Sequence, residues 1–376
     1  MTPPMIPVAR PKLPDADALL PFLRQIDRSR WYGNRGPLVR RFEELLACHT
    51  EAASGEHVVV AANATAALTA ALLALDVPDG CLCMIPAWTF AASAHAVVAA
   101  GLVPWIVDVD PSDGALHPAT ALSLIPRAPG RLGAILTVAP FGSPVDVSGW
   151  TEVRRRSDLP VVLDAAAGFD VVRASAIPTI VSLHATKVLG IGEGAFVTWD
   201  DAAGVRSIRA RINFGFSGTR EATVRATNAK LSEYGAALGL AALESWPANR
   251  RAWRRVAEDY ANAFAGTDIE LQAGWGDDWV SSTAIATLPP ACLATVEGAL
   301  AGRGIDSRRW WGRGLAKQRA FARYPRMPLD VTEALASSTL GLPCWPDLPR
   351  GVIVRIAGLV ASASRAPQQV PARLLT

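Results

Sequence analysis

Two residues near the middle of the sequence join reactive chemistry to apolar surroundings. Asp164 closes the run Val161-Val162-Leu163 and is followed by Ala165-Ala166. A carboxylate ending a buried strand is costly unless a donor or a cation meets it. It serves either as a helix cap or satisfied structural acid, or as the anionic partner of a protonated ring nitrogen. Lys187 lies in Ser182-Leu183-His184-Ala185-Thr186-Lys187, ahead of Gly190, Gly192 and Gly194. An isolated lysine is ordinarily solvated surface. This one follows an apolar run and opens a glycine-rich turn, which lets backbone approach a ligand closely. Desolvation there lowers an amine's pKa, as a Schiff-base nucleophile requires.

Two further groups carry complementary chemistry. Asn63-Ala64-Thr65 stands between an apolar run and an alanine-rich helical stretch. The free N–H groups of a helix N-terminus bind phosphate, although Asn63 or Thr65 acting as a simple cap fits the same residues. Trp88 and Phe90 follow the run ending at Pro86. Either offers a face for a flat ring, and either fits an apolar core. Singly these signals are weak. Together they supply a phosphate site, a stacking ring, a carboxylate and an amine, the set a pyridoxal-phosphate (PLP) site requires.

The surrounding pattern predicts what positions them. Short apolar runs occur at His57–Ala61, Leu82–Pro86, Val103–Val107, Ala134–Val138, Pro160–Leu163, Thr179–Leu183 and Ala195–Trp199. Helix-like stretches such as Thr65–Leu75 and Ala91–Ala100 separate several of them. This predicts an α/β fold with a mostly parallel sheet covered on both faces. The last three runs leave little room for helices, so an antiparallel strand is expected among them. Leu231–Trp246 and Arg250–Phe264 read as two further helices, followed by Pro- and Trp-rich short elements. The expected organisation is a large α/β domain, 1–240, and a smaller α+β domain, 241–376. Ligands of such sheets sit beyond the carboxyl ends of the strands, where Asp164 and Lys187 fall.

Composition narrows the classes. Half of the 376 residues are hydrophobic and 19% are charged, enough to build a core. A net charge of +3 with short, scattered Arg clusters gives no nucleic-acid footprint. The five cysteines form no Cys-x-x-Cys pair and the five histidines lack metal-ligand spacing, so neither a disulfide framework nor a zinc site is expected. His95, Gly101 and Pro104 interrupt the one long apolar stretch, which argues against a membrane span. Cytoplasm is the default location. No G-x-G-x-x-G follows the first run and no P-loop occurs, which disfavours a nicotinamide-dependent oxidoreductase.

At this point the sequence resembles the DegT/DnrJ/EryC1/StrS family of PLP-dependent sugar aminotransferases. The resemblance runs from Trp31-Tyr32-Gly33 through Asn63-Ala64-Thr65, Thr89-Phe90 and Phe141-Gly142 to Leu163-Asp164-Ala165. It continues with Ser182-Leu183-His184-Ala185-Thr186-Lys187, Gly192-Glu193-Gly194, Asn228-Ala229-Lys230 and Leu342-Pro343. It implies a fold-type-I PLP enzyme. Lys187 would be the lysine that carries the cofactor and Asp164 the partner of its ring nitrogen. Ala64, Thr65 and Ser182 would hold its phosphate, Phe90 would stack on its ring, and Asn228 would reach the phosphate of the neighbouring subunit's cofactor. The resemblance further implies a homodimer with shared sites, an amino acid donor such as glutamate, and a nucleotide-linked keto-deoxy sugar aminated at C4. Alanine stands at position 64 where the family commonly has glycine, and Ala167 stands where it often has glutamine. A dehydratase or lyase on the same fold, and a binding protein without turnover, are the rival readings.

Overall fold

The structure, a computed structural model, describes residues 5–365. Seven strands form the central sheet: β1 (Val58–Ala61), β2 (Leu82–Pro86), β3 (Val103–Val107), β4 (Leu132–Val138), β5 (Val161–Asp164), β6 (Thr179–Ser182) and β7 (Ala195–Thr198). Their order is β1-β7-β6-β5-β4-β2-β3. All neighbours run parallel except those of β7, which is antiparallel to both β1 and β6. The expected mostly parallel sheet with one reversed strand is thus present.

Alternate side chains of each strand enter separate cores. Val58 and Val60 of β1 and Met84 of β2 pack on one face. Val59, Ala61, Cys83 and Ile85 pack on the other. This period of two with apolar residues on both sides is what a sheet covered twice demands. The helices α1 (Ala16–Ser29), α2 (Pro37–Thr50), α3 (Ala64–Ala74), α4 (Ala91–Ala99), α5 (Pro118–Leu124), α6 (Val147–Ser157) and α7 (Ala202–Arg211) belong to this part of the chain. Residues of α3 and α4 line the second core, whereas those of α2 and α6 line the first.

The helix α8 (Glu233–Phe264) spans 32 residues without a break. The sequence predicts two helices here, Leu231–Trp246 and Arg250–Phe264. The structure corrects this, since Pro247 lies inside one helix. Trp246, Trp253, Val256 and Tyr260 continue one buried face across it, and that shared packing outweighs one missing hydrogen bond. The expected division at residue 240 falls within this helix, which packs against α1 and α2 and also against α11 (Arg350–Arg365). Between them lie β8 (Glu270–Leu271), β9 (Ala284–Thr287), α9 (Leu293–Ala301), α10 (Asp330–Ser338) and β10 (Thr339–Leu342). These strands form an antiparallel sheet in the order β10-β9-β8.

Two helix N-termini are completed by acids from distant elements. Helix α2 begins after Gly36, which supplies no side-chain cap, and Pro37 has no N–H to satisfy. The next donors, the N–H groups of Leu38 and Val39, meet the buried carboxylate of Glu233 at 2.8 and 3.0 Å. Asp108, just beyond β3, accepts from the N–H groups of Val331 and Thr332 at the start of α10, at 2.8 and 2.9 Å, and from the Thr332 hydroxyl at 2.6 Å. Replacing Glu233 with alanine strands two buried donors. It is expected to cost about 2 kcal/mol of unfolding free energy. A urea midpoint that falls at unchanged slope would show this, and an unmoved midpoint would refute it.

Candidate active site

The site is built at the carboxyl ends of β5 and β6. Asp164 is the last residue of β5 and is buried at 5% exposure. Its Oδ2 accepts from the Ser93 hydroxyl at 2.8 Å, and its Oδ1 accepts from the Ala166 N–H at 3.2 Å. Ser182 ends β6, and its N–H donates to the Ala166 carbonyl at 3.1 Å, which ties the two strand ends together. The Ser182 hydroxyl accepts from the His184 N–H at 3.2 Å.

Lys187 sits on the loop that leaves β6. The loop is pinned by the Ala185 N–H to the Gly192 carbonyl at 2.7 Å and by the Ile191 N–H to the Leu183 carbonyl at 2.8 Å. Gly190 is required for packing, because a Cβ there would stand 2.5 Å from the Ala185 carbonyl oxygen. Gly192 is required for conformation, with φ at +89°. Lys187 and Asp164 act on each other electrostatically without a direct ion pair among the described residues. Burial pushes the Asp164 carboxyl above the ordinary carboxylate range, against the Ser93, Ala166 and Lys187 groups that pull it down. Burial likewise lowers the Lys187 ammonium, which the Asp164 charge opposes. An amine so placed is released more readily as a nucleophile or base.

The remaining candidates lie around this pair. Asn63 caps α3, its Oδ1 accepting from the Ala66 N–H at 2.9 Å. The cap reading of Asn63 therefore holds, and the N–H groups of Ala64 and Thr65 in the first turn remain available. Phe90, at the start of α4, is 60% exposed, whereas its neighbour Trp88 is buried edge-on against Trp311, with ring centroids 5.3 Å apart. Of the two aromatic candidates, only Phe90 thus presents a free face. Trp311 also stacks on Phe141 at 4.0 Å, and the Trp310 indole packs over Gly341. Asn228 is exposed, and its Oδ1 accepts from the Lys230 ammonium at 2.7 Å. Among the described residues its side chain bonds to none of the other candidates. The His184 Nδ1 pairs with the Thr186 hydroxyl at 2.8 Å, so its ring is held within its own loop.

Sequence reasoning missed Ser93. It is fully buried and joins Asp164 to the Thr89 hydroxyl, 2.8 Å from its own. The available signal was a single hydroxyl in the otherwise apolar stretch Ala91-Ala92-Ser93-Ala94. A narrow cleft beside Lys187 is lined by Arg10, Lys12, Asn249, Trp253 and Cys344, from segments far apart in sequence.

These residues fit PLP. A lysine of lowered pKa suits Schiff-base attachment, and a buried carboxylate with one loosely engaged oxygen suits a protonated ring nitrogen. Unpaired N–H groups opening an 11-residue helix suit a phosphate, and an uncovered aromatic face suits a ring.

Comparison with known proteins agrees. The sequence matches the DegT/DnrJ/EryC1/StrS aminotransferase family over residues 16–361. It is 30% identical to UDP-N-acetyl-3-dehydro-alpha-D-glucosamine 3-aminotransferase of Acidithiobacillus ferrooxidans, over 81% of this chain and 83% of the other. It is likewise 30% identical to dTDP-4-amino-4,6-dideoxy-D-glucose transaminase of Shigella dysenteriae, over 63% and 64% respectively. The crystal structure of DesI with its TDP-sugar product superposes with a TM-score of 0.85 at 29% identity, covering 96% of this chain and 93% of that one. Among the described residues no helix is long and apolar enough to cross a membrane. With the family matched across nearly the whole sequence, the chain belongs to the DegT/DnrJ/EryC1/StrS family of PLP-dependent aminotransferases.

Proposed function

We propose that this protein moves an amino group from an amino acid, glutamate, to C4 of a nucleotide-linked keto-deoxy sugar, acting as a cytoplasmic homodimer. The observation that carries the reading is the buried Asp164–Lys187 pair on adjoining strand ends, one group driven toward its neutral acid and the other toward its neutral amine. Relatives that act on nucleotide-linked amino sugars support the substrate class.

Bound PLP supplies an electron sink for the carbanion formed at the donor's α-carbon. Asp164 would hold a proton on the ring nitrogen. The Lys187 amine takes the α-proton from the donor. In the second half-reaction it returns a proton to the sugar carbon that receives nitrogen. Ala64 and Thr65 direct their N–H groups, and Thr65 and Ser182 their hydroxyls, to the phosphate. Phe90 covers one ring face, and Asn228 serves the site of the neighbouring subunit. These groups fall in the proposed large domain, 1–240, and Asn249, Trp253 and Cys344 of the proposed smaller domain, 241–376, join Arg10 and Lys12 in lining the cleft beside Lys187.

The test is product analysis. The loaded enzyme, glutamate and a nucleotide-linked 4-keto-6-deoxy sugar should yield 2-oxoglutarate and a 4-amino sugar in equal amounts. Initial rates should follow the ping-pong pattern. A dehydrated sugar without 2-oxoglutarate would make the enzyme a lyase. Nitrogen at C3 would overturn the C4 assignment.

A further inference from the structure

The hydrogen count around Asp164 has a direction. Ser93 occupies the first turn of α4, and its hydroxyl touches both Asp164 Oδ2 and Thr89 Oγ1 at 2.8 Å. Ser93 and Thr89 are 0% and 1% exposed, so bulk solvent does not reach either hydroxyl. An ionised carboxylate only accepts, so Ser93 must give its single hydrogen to Oδ2. The hydrogen between the two hydroxyls then comes from Thr89. In this arrangement every hydrogen has a partner.

Protonating Asp164 on Oδ2 breaks the sequence. Ser93 would have to accept from the acid and donate to Thr89, and the Thr89 hydrogen would point at nothing. No other acceptor meets that hydroxyl among the described residues. An unmatched buried donor is costly. The chain from Thr89 through Ser93 also leaves Oδ1 as the free oxygen, held only by the longer bond from Ala166.

We propose that Ser93, oriented by Thr89, is a positioning residue that favours the ionised form of Asp164 by donating to Oδ2, where the hydroxyl pair disfavours a proton, and leaves Oδ1 as the oxygen free to meet the cofactor's ring nitrogen. This rests on the reading of Asp164 as the ring-nitrogen partner. It offsets the burial that drives Asp164 toward its neutral form, as the Lys187 charge also does.

The readout is spectroscopic. A less firmly protonated ring nitrogen withdraws less charge from the Lys187–cofactor linkage, whose nitrogen becomes more basic. The pH midpoint of the linkage absorbance in the loaded enzyme should rise by about one unit in Ser93→Ala, the size of one hydrogen bond to a charged group. Thr89→Val should move it less and in the same direction, and it carries the test if Ser93→Ala does not fold. Adding Ser93→Ala to Asp164→Asn should move the midpoint no further than Asp164→Asn alone. Midpoints unmoved by both hydroxyl variants, with Asp164→Asn shifted, would overturn the role of Ser93 and leave Asp164 intact. A midpoint unmoved by Asp164→Asn as well would overturn both.

Discussion

Lys187→Ala is expected to reduce transamination by at least roughly 10⁴-fold, the scale on which a positioned acid–base group accelerates proton transfer. The protein should still fold and take up PLP reversibly, because the residues proposed to hold the phosphate and the ring, Ala64, Thr65 and Phe90, lie on other elements. Borohydride reduction of the loaded wild-type enzyme should fix the cofactor to a single peptide containing residue 187, and the variant should release it on denaturation. A large effect is expected because the proposed function gives one amine several tasks: attachment, removal of the donor's α-proton and reprotonation at the sugar. The fold supports this by pinning the loop with Gly190 and Gly192, so that the amine is delivered to one place. Substantial turnover in the variant would remove Lys187 from the chemistry.

Asp164→Asn should pull activity and stability in opposite directions. Turnover is expected to fall by about 10²- to 10³-fold, as when one preorganised charge partner is lost. The cofactor-free protein should become more stable at neutral pH. Burial raises the Asp164 pKa in the folded chain above its unfolded value. The stability associated with that carboxyl is therefore full in acid and is lost as pH rises through the folded value. Asparagine stays neutral throughout, so the stability difference between variant and wild type should open as pH climbs out of the ordinary carboxylate range. It should then level off above the raised folded value. Urea midpoints of the two cofactor-free proteins across that range measure it. A variant less stable than wild type at neutral pH would contradict the sign. The comparison identifies Asp164 as a group retained at a cost to the empty protein.

The parts of this fold that were legible in the sequence are those written in local pattern. The runs His57–Ala61 and Pro160–Leu163 are short, valine-rich and largely apolar, and they fall on β1 and β5 of the covered sheet. Asp164 and Lys187 stood out because each ends or follows such a run. Features that depend on packing were not legible. Nothing local links Ser93 to Asp164 across 71 positions, since the contact exists only once α4 lies over the strand ends. The local pattern reads as two helices where the structure has one, because a buried face continues past Pro247 through α8. The aromatic pair left two candidates for one role, and only burial separates Trp88 from Phe90.

Glu233 and Asp108 give the molecule a particular kind of cooperativity. Each is the missing end of a helix to which it does not belong. Fraying of α2 therefore exposes a stranded acid on α8, and lifting α10 from the sheet strands another beyond β3. Local openings of these helices are thereby linked to larger ones, so the amides of Leu38, Val39, Val331 and Thr332 are expected to exchange with the slow interior although they begin helices. Helix ends are ordinarily where a chain first loosens; here two of them act as latches.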